Sequence, residues 1–206
     1  MGVLTRGILG GFSNKVGPVV GSSWKGIDVI RSMPLSVANP NTPAQQAQRG
    51  RFSVITEFAS KLLGSVVKPL WDRNAKQMSG YNAFIQENIN AVSPDLIINP
   101  ELVVLSKGTI GITITDVDID AVEETATITW SNTEVPFNSK PTDVLYAVVM
   151  EDDNNFVAAL QTTVMRSAGT ATFSIKGIEQ TGGLWAITAF KAADGLTQSD
   201  SYVSTY

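Results

Sequence analysis

Apolar residues recur at three- and four-residue steps from Ala47 to Val66, and at every second position through much of the chain after residue 101. The first period is that of one helix face, the second that of half-buried strands. Residues 1–23 show neither. Gly2, Gly7, Gly10, Gly11, Gly17 and Gly21 interrupt any repeat there, and such a segment is not expected to fold alone. Val19 to Ser32 reads as a hairpin of two short strands around Lys25-Gly26, with Trp24, Ile27, Val29 and Ile30 as its apolar contacts.

The strongest local signal is Asn39-Pro40-Asn41-Thr42-Pro43-Ala44-Gln45-Gln46. Pro40 holds Asn39 extended, Thr42 is a good N-cap, Pro43 suits the first helical position and Gln45 the third, as in a capping box. The helix that starts here is expected to run to about Val67, burying Ala47, Phe52, Ile55, Phe58, Ala59, Leu62, Leu63 and Val66 on one face, and to end at Lys68-Pro69. Ser79 caps a second helix with Tyr81, Phe84, Ile85, Ile89 and Val92 at helical spacing, stopped by Ser93-Pro94.

Eight strands are expected beyond it, at 101–106, 109–117, 125–130, 144–151, 155–164, 170–175, 184–192 and 201–206. Their number and spacing predict an immunoglobulin- or fibronectin-like β-sandwich, with Trp130 as a plug in its core. The fold class is therefore α+β: an arm, hairpin and two helices over residues 1–95 that serve assembly, then an all-β sandwich over 96–206. Two helices and a hairpin make a thin core, so this half is expected to pack on the sandwich or on other copies.

Composition narrows the chemistry. The 206 residues hold no Cys and no His, which removes disulfides, thiolate and imidazole catalysis, and Cys- or His-ligated metals. Charge is uneven: ten Lys/Arg against five Asp/Glu through residue 95, then five against fourteen. Opposite signs on the two parts allow the basic part of one copy to meet the acidic part of another; solvated faces of unequal sign explain the same count. The N-terminus lacks the apolar run of a secretory signal, and no stretch has the length of a membrane span, so neither export by signal peptide nor membrane insertion is expected.

Candidate motifs fall short. Asp116, Asp118 and Asp120 begin like a calcium loop, but Ala121 stands where the loop needs Gly and Thr127 where it needs Glu, so three Asp on one solvent face of an edge strand is the alternative reading. Glu151-Asp152-Asp153-Asn154-Asn155 reads as a hairpin turn. Gly17 to Ser23 lacks the Gly-Lys-Ser/Thr ending of a phosphate loop. Trp24, Lys25, Arg31, Arg49 and Arg51 form a basic and aromatic set, yet a net charge of −4 argues against nucleic acid as the partner.

The segments Gly17 to Gly26, Arg31-Ser32, Asn39 to Arg49 and Gly80-Tyr81-Asn82-Ala83-Phe84 resemble an uncharacterised family of proteins of about this length in Bacteroidota and their phages, and Asn-Pro-x-Thr-Pro-x-Gln is similar to segments of phage virion proteins. The resemblance implies a virion component, of the capsid or tail, assembled in the bacterial cytoplasm. It brings no catalytic residue, cofactor or metal ligand. The expectation is thus a non-enzymatic structural subunit whose partners are its own copies and other proteins of the assembly, with Trp24, Lys25, Arg31, Thr42, Pro43, Arg49 and Arg51 as contacts. Two alternatives stay open: a sandwich that binds a glycan or host surface protein through loops near 134–140 and 193–198, and a hydrolase using two carboxylates roughly 5–10 Å apart.

Overall fold

A computed structural model describes residues 3–4, 12–25, 27–36, 40–120, 122–131, 137–152, 157–160, 163–177 and 183–206. It is α+β. The chain opens with strands β1 (Val3–Leu4), β2 (Phe12–Val16), β3 (Val19–Trp24) and β4 (Ile27–Ser32), which form one antiparallel sheet in that order. The β3–β4 hairpin is the expected one. The Gly-rich segment before it differs from expectation, because two of its stretches are paired strands. Asn14 takes a left-handed φ of 75° inside β2, a conformation that Asn tolerates better than most residues and that conceals a strand from pattern reading.

Helix α1 (Pro43–Lys61) starts where the capping box requires. Gln45 N donates to Thr42 Oγ1 at 3.3 Å, and Thr42 N donates to Gln45 Oε1 at 3.2 Å. Its buried face begins only at Ile55; Ala47 is exposed and so is Phe52, which corrects the expected apolar stripe in its first half. After Leu62 the helix widens into a π turn over Leu63–Val67, with Val67 N donating to Leu62 O at 3.0 Å. The path then continues as α2 (Lys68–Trp71) instead of ending at Pro69. Proline lacks an N–H and its ring crowds the carbonyl four residues back; a wider preceding turn and a place in the first turn of α2 relieve both.

Helix α3 (Gly80–Asn88) is capped by Ser79, whose Oγ accepts from Asn82 N at 3.2 Å. Gly80 lies against Asp72 so closely that a Cβ there would sit 2.5 Å from Asp72 N. The helices pack through Phe58 and Trp71 on Phe84, at 6.1 and 5.7 Å between ring centres.

The segment expected to be a strand at 101–106 is not one. Pro100–Leu102 is a 3-10 turn capped by Asn99, and the amides that follow bond to side chains instead of a ladder. Asn88 Oδ1 takes Val104 N at 2.7 Å, and Ser201 Oγ takes Leu105 N at 2.7 Å and Ser106 N at 2.9 Å. Trp71 Nε1 donates to Leu105 O at 2.8 Å. Val103 and Leu105 are thereby pulled into the helical core.

Two antiparallel sheets follow. Strands β5 (Ile114–Asp120), β6 (Thr125–Trp130) and β10 (Thr170–Ser174) form one, ordered β10-β6-β5. The other is ordered β12-β11-β7-β8, from β7 (Val144–Glu151), β8 (Val157–Ala159), β11 (Leu184–Lys191) and β12 (Tyr202–Thr205), with the short β9 (Val164–Met165) also on β7. The strands expected at 109–117 and 155–164 shift accordingly: the first begins at Ile114, and the second resolves into β8 and β9 with 155–156 and 161–162 outside the described residues.

Ile128, Trp130, Phe173, Leu145, Val149 and Phe190 share the core between the two sheets. Val148, Met150, Ile187 and Ala189 on the opposite face of β7 and β11 join Ile55, Phe58, Phe84 and Leu105. The five-stranded sheet is thus a middle layer covered by helices on one side and by the smaller sheet on the other. A strand buried on both faces reads as a continuous apolar run, which is why Val144–Glu151 carries no alternation in its second half.

Trp130 is buried as expected, edge-on to Phe190 at 5.5 Å, with Nε1 donating to Arg166 O at 2.6 Å. The Arg166 guanidinium lies 3.8 Å over the Phe190 ring and 3.4 Å from Asp143 Oδ2. Burial pulls its pKa down, and Asp143 pulls it back up.

Candidate assembly surface

Cα partners across a ladder point their side chains to the same face. In the β1–β4 sheet this places Lys15, Val20 and Arg31 in one row, with Val29 and Ile27 on the same face. The opposite face carries Val16, Val19 and Ile30, together with Asp28. The two cations therefore stand apart from the acid.

Among the described residues, no layer covers either face. None of the described β1–β4 residues belongs to either core, every residue of β4 is exposed, and Ile30 reaches 65% exposure. Gly21, the one buried residue described in the sheet, owes this to Phe12 folded close over it; a Cβ there would sit 2.1 Å from Phe12 O. Lys25, at φ 46° in the hairpin turn, donates from Nζ to Met78 O and so ties the sheet to the helices.

The expected contact residues separate into three groups. Trp24, Lys25 and Arg31 lie on the β3–β4 hairpin; Trp24 closes β3 opposite Ile27, and its side chain lies outside the described part of the structure. Thr42 and Pro43 form the exposed start of α1, and Arg49 donates from Nη1 to Asn41 Oδ1 at 3.1 Å beside them. Arg51 turns inward, donating from Nε to Val92 O and from Nη2 to Ile89 O, each at 3.0 Å. A cation among carbonyls where a helix ends meets the negative end of the helix dipole.

A second feature escaped the sequence reading. Ser93 N donates to Ile97 O at 2.8 Å and Ile97 N to Ser93 Oγ at 3.2 Å, closing a turn in which Leu96 holds a left-handed φ of 65°. Leu96 and Ile97 stay exposed on this turn. Beside it runs an open groove of about 360 Å³ with Ile97, Ile98, Pro100 and partly buried Trp185 along it and the exposed carboxylates Glu101 and Asp152 at its rim. Its parts come from distant stretches of chain, so no local motif announces it.

Asp116, Asp118 and Asp120 are exposed on β5, which ends its sheet. Asp120 Oδ1 accepts from Val122 N and Glu123 N, both at 2.9 Å, and so shapes the turn to β6; Ala121 lies outside the described residues. Among the described residues no group of three or more acidic side chains converges as a metal site. Shifted pKa values belong to groups packed around the sheets: burial pushes the Tyr146 phenol up, and burial, then Arg73, pull the Lys191 ammonium down. No helix among the described residues is long and apolar enough to cross a membrane.

A model described as a family of unknown function, DUF6266, matches residues 11–203. The chain belongs to this family. The DUF6266 match runs from just before β2 into β12, so it takes in the β1–β4 sheet, the helices and the two later sheets together. No curated protein matches the chain.

Proposed function

We propose that the protein is a non-enzymatic structural subunit of a multi-subunit assembly, a capsid or tail component of a phage virion built in the bacterial cytoplasm. The bare β1–β4 sheet carries this reading. An antiparallel sheet needs an apolar face packed on something to be stable in water, and this one holds Val16, Val19, Val20, Ile27, Val29 and Ile30 with no layer of the described residues over them. Completion by another chain supplies the missing layer. The first turns of α1, with Thr42, Pro43 and Arg49, are exposed as well.

The two facing sheets are read as an immunoglobulin- or fibronectin-like sandwich, a frequent carrier domain of assemblies. Strand orders β10-β6-β5 and β12-β11-β7-β8, with a tryptophan from the first sheet against the second, support that reading. Binding of a glycan or host surface protein is the second reading, favoured by Phe137, which is 77% exposed next to the 132–136 segment.

Removing residues 2–16 deletes β1 and β2 while leaving both cores intact. Sedimentation of the truncated protein is expected to give a folded monomer where the full chain forms a larger species. The same oligomer from both proteins refutes the role of the sheet.

A further inference from the structure

We propose that the apolar groove beside Ile97 receives the basic face of the β1–β4 sheet from a second copy of this chain. The inference rests on the assembly reading above and names its partner surface. The sheet face offers Val20, Ile27 and Val29 bordered by Lys15 and Arg31, all described on the same side by ladder register. The groove offers exposed Ile97 and half-buried Trp185, with the exposed carboxylates Glu101 and Asp152 in the same lining. Apolar residues meet apolar residues, and two cations meet two carboxylates. The sheet's acid, Asp28, lies on the face turned away.

Self-pairing fits better than a foreign basic partner because one chain carries both halves of the match. The contact joins two different surfaces, so it is head-to-tail, and such contacts build closed rings or open filaments. Charge at its border sets register and encounter rate, whereas the apolar centre supplies most of the affinity. Salt therefore weakens the contact without abolishing it.

Three proteins test this in sedimentation over a range of concentrations: K15E/R31E, E101K/D152K and the chain with all four changes. All four side chains are exposed, so the variants are expected to keep the far-UV circular dichroism and Tm of the original at high dilution. Each double variant is expected to need at least about tenfold more protein for half-assembly, and the fourfold variant to recover to within about threefold of the original. Ile97→Glu, which places a charge among the apolar residues lining the groove, is expected to assemble worse than any of them. If E101K/D152K and Ile97→Glu assemble like the original while K15E/R31E does not, the groove is not the partner surface, and the assembly reading stands without it. If the original chain is a monomer at every concentration, self-pairing is overturned.

Discussion

At the scale of single residues, most of the expected contact residues have work within their own chain. Thr42 and Gln45 exchange two hydrogen bonds at the start of α1. Arg51 satisfies two carbonyls at the end of the α3 region, which leaves Lys15, absent from the sequence-based set, and Arg31 as the cations of the uncovered face. An N-cap threonine changed to alanine costs about 1 kcal/mol through the cap alone. Thr42→Ala is accordingly expected to lower stability to urea by about 1 kcal/mol and leave the assembled mass unchanged. Loss of assembly with unaltered stability gives Thr42 a direct contact instead.

At the scale of elements, legibility follows how local the determining interactions are. The start of α1, the Ser79 cap and the bounds of β6 and β7 were readable because neighbours within four residues decide them. Residues 103–106 were not: their apolar character suggests a strand, and only Asn88 and Ser201, 16 and 96 residues away, show where the amides go. The helix beyond Pro69 depends on the π turn before it, which no periodicity signals. Strand β2 was hidden by Asn14, and the groove by its assembly from separate segments.

The bare sheet makes an element-level prediction as well. With no apolar layer behind it among the described residues, local opening of β3 and β4 is inexpensive in the isolated chain, whereas β7 and β11 are held by layers on both faces. Hydrogen exchange on the dissociated protein is expected to show amides of β3–β4 exchanging at least about a hundredfold faster than those of β7–β11, with the gap narrowing on assembly. Equal protection in a monomer shows a sheet that stands without help.

At the scale of the molecule, three packed layers form one body, and the described residues of the β1–β4 sheet stand outside both of its cores. Middle strands β7 and β11 serve both cores at once, which joins the helices to the smaller sheet. The charge asymmetry now has places: cations at Lys15 and Arg31 on the projecting sheet, carboxylates at Glu101 and Asp152 on the groove and at Asp116, Asp118 and Asp120 on β5. A body with one basic apolar projection and one acidic apolar groove is suited to repeated head-to-tail contact.

Light scattering on the full chain, across concentrations and at two salt levels, is the direct test that another copy completes the β1–β4 sheet. The account predicts a defined multiple of 22.0 kDa that shifts toward smaller species on dilution and at higher salt. A uniform 22.0 kDa particle under every condition contradicts it.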